Sequence, residues 1–89
     1  MSKIHKKQYR EAFGKAIREH RNNQGLTQQA LADKSKIHRT YISDIERGER
    51  NLSIDSMVAI CDGLELTPAS VLMNAESKYG PEKSDPVAR

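Results

Sequence analysis

The sequence predicts an all-α fold, a compact domain of about five short helices, and three observations predict it. Apolar residues recur at three- and four-residue spacing and nowhere alternate over the length of a strand. Hydroxyl residues and glycines punctuate those stretches at the positions where helices start and stop. At 89 residues with one cysteine, Cys61, the chain is too short for two independent cores and forms no internal disulfide, a combination that favours a small helical core or a dimer.

Residues 1–7 are basic and polar without rhythm and are expected to form an arm. From Gln8, Tyr9, Phe13 and Ile17 follow one another at four-residue steps, with Ala12 and Ala16 beside them, so the first helix runs to about Asn23 and stops at Gly25. Thr27 supplies an oxygen to cap a second helix, Gln28 to about Lys34, with Leu31 and Ala32 facing inward. A third runs from about His38 to Arg47, with Ile42 and Ile45 inward, and ends at Gly48.

Ser53 caps the fourth helix, whose stripe of Ile54, Met57, Cys61 and Leu64 is expected to bury, with Ile60 beside it. Thr67 followed by Pro68 is a cap and a first-turn proline, so a fifth helix takes in Ala69 to about Ala75. Residues 76–89 hold two of the three prolines and no apolar rhythm, which predicts a flexible tail, disordered or loosely docked. The domain proper is then residues 8–75.

Charge is unevenly spread. Residues 1–25 carry a net +5 and 26–50 a net +1, whereas 51–75 carry −3 and 76–89 balance, giving +3 in all. A basic first half facing a polyanion and an acidic segment turned elsewhere is one account; unevenly placed solvated lysines are the other. No run approaches the roughly 18 apolar residues of a membrane span, and no apolar stretch follows the basic start, so no membrane partner and a cytoplasmic location are expected.

Chemistry has little to work with. His5, His20 and His38 are far apart, no pair of histidines or cysteines has metal-ligand spacing, and Cys61 sits on an apolar stripe. No glycine-rich phosphate loop or nucleophile–base pattern is present. An enzyme, a metal site and a cofactor are therefore not expected.

A short capped helix, a tight turn at Ser35-Lys36-Ile37 and a second short helix with a polar, exposed start form the layout of a helix-turn-helix. The second helix of such a pair fits a DNA major groove about 12 Å wide. At this point an extended string carries a resemblance: Gly14, Ile17-Arg18, Arg21, Gly25-Leu26-Thr27-Gln28, Leu31-Ala32, Ile37, Tyr41-Ile42-Ser43 and Ile45-Glu46-Arg47-Gly48. In that order they resemble the core signature of lambda-repressor-like, Xre-type DNA-binding domains. The likeness covers roughly residues 9–73. With Arg39-Thr40 and Arg50-Asn51-Leu52-Ser53 added, the chain is most similar to the controller proteins of restriction–modification systems.

The resemblance implies a homodimer on double-stranded DNA with a palindromic operator, and it assigns residues. Arg39 and Thr40 open the recognition helix and suit base edges, arginine pairing with guanine O6 and N7. Ser43 and Asp44 lie a turn further on; Asp44 either accepts from a cytosine amine or is a solvated carboxylate, the second being favoured. Arg50 is expected at a base or phosphate. Gln28, at a helix N-terminus, suits a phosphate, as do Asn51 and Ser53, while Lys36, Arg47 and the arm lysines Lys3, Lys6 and Lys7 add unspecific attraction. Tyr41 either stacks on the backbone or near the dyad, or packs against helix four.

Glu46 stands where the family pairs it with a helix-one arginine, and Arg21 is in the matching place, which predicts an ion pair of structural value. Two positions depart from the pattern. Lys36 replaces a common glycine in the turn, and His38 replaces a hydroxyl or carboxylate cap; His38 can also face a phosphate. Leu66, Val71, Leu72 and Met73 are candidates for the dimer seam, with Val71 and Leu72 as alternatives for the monomer core. RNA polymerase is a further candidate partner for the acidic segment. A different class of function, an antitoxin-like or bridging module binding another protein through residues 76–89, uses the same scaffold but would want a more apolar tail.

Overall fold

Hydroxyl oxygens start three of the five helices in the computed structural model, which describes residues 5–81. Thr27 accepts from the Ala30 amide at 3.0 Å, Ser53 from Ser56 at 3.0 Å and Thr67 from Ser70 at 3.2 Å. Each satisfies an amide that the first turn of a helix leaves without a partner. The helices are α1 (Lys6–Asn23), α2 (Gln28–Ser35), α3 (Arg39–Glu46), α4 (Ile54–Gly63) and α5 (Pro68–Tyr79). No strand occurs among the described residues.

Helix α1 lies against α5 and α3, α2 against α3 and α4, and α4 touches α5. The apolar faces of all five meet in one core in which Ile17, Leu31, Ile42, Ile60, Leu64 and Val71 have no exposed surface. Fully burying each such side chain is worth about 1.5–3 kcal/mol. One crossing is closer than side chains allow: a Cβ on Gly14 of α1 would run into the Ile45 and Glu46 carbonyls of α3. Just beyond the same end of α3, Gly48 has φ +73°, and a Cβ there would stand 2.6 Å from Glu11.

Among the described residues, two other than glycine take the left-handed conformation. Lys36 (φ 59°, ψ 41°) closes α2, turning the chain so that the Ile37 amide donates back to Ala32 O at 3.0 Å. Glu65, also at φ 59°, does the same for α4, where the Leu66 amide reaches Cys61 O at 2.9 Å. The chirality of an L residue makes this conformation costly, so the closing hydrogen bonds hold these turns in place.

Several boundaries and burials differ from the expectation. Helix α1 begins two residues early, taking Lys6 and Lys7 out of the supposed arm; Lys3 and residues 82–89 lie outside the described residues. Ile54 is 69% exposed, because the packed stripe of α4 begins a turn later, at half-buried Met57. Helix α5 continues four residues past Ala75, so residues 76–79 are no tail. Its last turn is held by polar contacts that an apolar pattern does not register. Tyr9 Oη donates to Glu76 at 2.7 Å, Lys78 Nζ to Glu19 at 2.7 Å and Tyr79 Oη to Glu19 at 3.0 Å.

Candidate nucleic-acid interface

The recognition helix is seated by charge as well as by packing. Ile42 and Ile45 fix one face of α3 in the core, and Glu46 at its end is buried beneath α1. There Arg21 grips it with two prongs: Nε donates to Oε2 at 2.7 Å and Nη2 to Oε1 at 3.0 Å. The third donor of Arg21, Nη1, reaches Leu26 O at 2.8 Å, tying the start of the α2 connection into the same knot. Gln28 adds to it, donating from Nε2 to Glu46 Oε1 at 3.0 Å. One of its two amide hydrogens is thereby committed inward, so Gln28 is not the free phosphate donor its helix position suggests.

With α3 pinned from behind, its N-terminus stands clear. His38, the cap residue, makes no side-chain cap bond and is exposed, as are Arg39 and Thr40. Arg39 Nη1 lies a long 3.4 Å from Gln28 Oε1, a contact too weak to hold it against a competing acceptor. A shallow hollow flanks each side of this helix start. One, of about 550 Å³, is lined by Gln29, Asp33 and Lys36 of the α2 side; the other, of about 540 Å³, by Tyr41, Arg50 and Ser56. Ile37, His38 and Thr40 line both.

A second charged cluster closes α3. The Asp44 carboxylate accepts from Arg47 Nη2 through Oδ1 and from Arg50 Nη2 at 3.1 Å through Oδ2. Arg47 also donates to the Ser43 hydroxyl and, through Nε, to Glu49 at 3.2 Å. Asp44 is thus neither a free acceptor for a base nor a solvated carboxylate, and the Ser43 oxygen is likewise taken up by an arginine. Arg50 lies over the Tyr41 ring at 4.7 Å from its centre. Tyr41 itself is half-buried against the core and donates to Asn51 O at 3.4 Å.

The remaining residues divide between surface and scaffold. Lys36 and Asn51 are exposed, whereas the Ser53 hydroxyl is occupied in capping α4 and bonding Ser56. Among the proposed seam residues, Val71 is fully buried in the core and so is not free for a partner; Leu66 packs half-buried against the core, and Leu72 (41%) and Met73 (71%) are exposed. The α5 frame explains this, because Val71 and Ala75 share the inward face and Leu72 and Met73 follow on the outward side.

The pairing of Ser43 and Asp44 with Arg47 was visible in principle, since three- and four-residue separations meet on a helix. Arg50 and Ser56 come from beyond the helix and had no such signal. Cys61 is enclosed, and burial pushes its thiol up to about 11, which makes it an inert packing group. Among the described residues no cluster of histidine, cysteine or carboxylate side chains is arranged to hold a metal, and no single helix is long and apolar enough to cross a membrane.

A five-helix domain whose second and third helices present a polar, basic helix start matches the Helix-turn-helix family model over residues 17–71. The chain belongs to that family, in its lambda-repressor-like, Xre-type form, and so to a group of DNA-binding transcriptional regulators. Within it, the chain is 43% identical over 61 residues to the control protein C.BamHI of Bacillus amyloliquefaciens, covering 67% of this chain and 75% of that one. Among solved structures, the restriction–modification controller C.AhdI of Aeromonas hydrophila superposes with a TM-score of 0.68 at 34% identity, covering 70% of this chain and 94% of that one. The regulator ClgR of Corynebacterium glutamicum reaches 0.76 at 34% identity, with 80% and 76% covered.

Proposed function

We propose that this protein acts as a homodimeric, sequence-specific regulator of transcription on a palindromic operator, of the controller kind found in restriction–modification systems. The observation that carries this is the exposed N-terminus of α3, with Arg39 and Thr40 free of strong internal partners while the Arg21–Glu46–Gln28 network fixes the helix behind them. Arg39, Thr40 and Arg50 read base edges. Lys36, His38, Arg47, Asn51, the edge of Tyr41, the remaining amide hydrogen of Gln28 and the backbone amide of Ser53 take phosphates.

Two arguments support a dimer. One helix-turn-helix makes too few base contacts for a unique site, and two recognition helices about 34 Å apart double the readout. Leu72 and Met73 leave exposed apolar surface on α5, and Ile54 and Val58 leave more on α4. The acidic residues Asp55, Asp62 and Glu65, all exposed, belong to this side of the sequence and suit a protein face, RNA polymerase included, better than DNA. Such a regulator works in the cytoplasm, where the DNA is.

Selection of bound duplexes from a randomised library tests the assignment, with sedimentation of the free protein alongside. The expected result is a selected sequence with two-fold symmetry, half-sites about one helical turn apart, and a dimer at tens of micromolar. Enrichment of no sequence, or of an unsymmetrical one bound by a monomer, would overturn it.

A further inference from the structure

We propose that Asp44 and Tyr41 are positioning residues for Arg50, gripping its guanidinium from edge and face so that it meets DNA already oriented. The assignment rests on the DNA-binding function proposed above. Arg50 lies in the loop between α3 and α4, where a long side chain with many rotamers would otherwise sample freely. Here its edge is held through Nη2 on Asp44 Oδ2 at 3.1 Å, and its face lies on the Tyr41 ring at 4.7 Å. Both holding residues belong to α3, itself fixed in the core by Ile42, Ile45 and Glu46. The orientation of Arg50 is therefore referred to the same rigid body that carries Arg39 and Thr40.

The grip leaves the group usable. Asp44 engages only Nη2, so Nε and Nη1 remain as donors beside the hollow that Arg50 lines with His38 and Thr40. The second oxygen of Asp44 holds Arg47, which is braced in turn by Ser43 and Glu49. One carboxylate thus orders two arginines and offsets part of their charge. That arrangement favours a contact that matches a fixed geometry over phosphates met at random. A fixed fork gains at the one sequence that fits it, whereas a mobile arginine finds a phosphate on any sequence.

The test compares binding to a duplex selected by the wild-type protein with binding to a scrambled duplex of equal length and composition. Asp44→Asn is expected to lower the ratio of the two affinities about three- to tenfold, the gain expected from ordering one flexible side chain. Binding to the scrambled duplex rises, and binding to the selected one does not. Asp33→Asn removes the same charge from the other hollow, where Asp33 holds only Gln29, and is expected to shift both affinities by one factor. Tyr41→Phe keeps the ring and the ratio; Tyr41→Leu lowers the ratio.

Relaxation of the Arg50 Nε–H group in the free protein gives a readout without DNA, and it is expected to change from restrained to mobile in Asp44→Asn. An unchanged ratio in Asp44→Asn, or an equal fall in Asp33→Asn, would overturn the positioning role. If wild type selects no duplex, the DNA-binding function fails and the readout role with it. If a duplex is selected but Arg50 is equally mobile in wild type and variant, only the grip fails.

Discussion

Arg21 and Glu46 meet as a two-pronged ion pair between α1 and α3, at 2.7 and 3.0 Å, with side chains only 10% and 4% exposed. Burying two charges is repaid only when geometry is good and the spare donors and acceptors are occupied. Both conditions hold: Leu26 O takes the third arginine donor and Gln28 adds a third hydrogen bond to Glu46. Removing one partner leaves the other charge buried and alone. Arg21→Ala is therefore expected to lose about 3–5 kcal/mol of stability, read as a fall in the midpoint of a thermal melt. A midpoint equal to wild type would sink the assignment.

Arg39 is expected to behave differently, since it contributes little to the fold. Arg39→Ala should melt close to wild type yet lose about 1–3 kcal/mol of affinity for the selected duplex, with relaxed preference at one base position. A uniform loss on every sequence would instead mark Arg39 as a phosphate contact.

The turn between α2 and α3 carries a correctable cost. Lys36 sits at φ 59° and is exposed, so glycine there relieves the left-handed penalty without removing a buried contact. Lys36→Gly is expected to raise stability by up to about 1 kcal/mol, less than the full penalty because glycine also loosens the unfolded chain. A lower midpoint in denaturant would count against this.

Acid should loosen the last turn of α5 before the core. The Lys78 ammonium and the Tyr79 hydroxyl bonded to Glu19 hold its carboxyl below the ordinary value of 4.5. A depressed carboxyl stabilises the fold above the unfolded value, and that contribution is lost as pH falls through 4.5 toward the lower folded value. Amide and ring signals of Lys78 and Tyr79, the two residues bonded to Glu19, are expected to shift in that window, and Glu19→Gln should reduce that shift. Signals that move only with global unfolding would contradict it.

What could be read from the sequence follows what each interaction leaves in the chain. Phe13, Ile17, Leu31, Ile42 and Ile45 announce the core because burial and helix period act together, and Thr27, Ser53 and Thr67 announce helix starts because each cap is local. Ile54 keeps the right period but lies a turn beyond the packed surface, which no period records. The end of α5 was hidden because Glu76, Lys78 and Tyr79 are held by residues of α1 that lie 59–67 positions away. The Arg21–Glu46 pair was legible only through family resemblance, being 25 positions apart. The role of Asp44 was obscured because its partner Arg50 sits in a loop.

Gly14 sets a dimension of the interface from the opposite side of the molecule. Because α1 and α3 touch there through backbone alone, the elevation of the recognition helix above the body of the protein is fixed by the missing methyl of a residue 25 positions before Arg39. A single carbon inserted at that contact would act as a shim under α3. It would tilt or raise α3 as a body, carrying Arg39, Thr40 and the Asp44 and Tyr41 grip on Arg50 with it, without altering any residue that faces the outside.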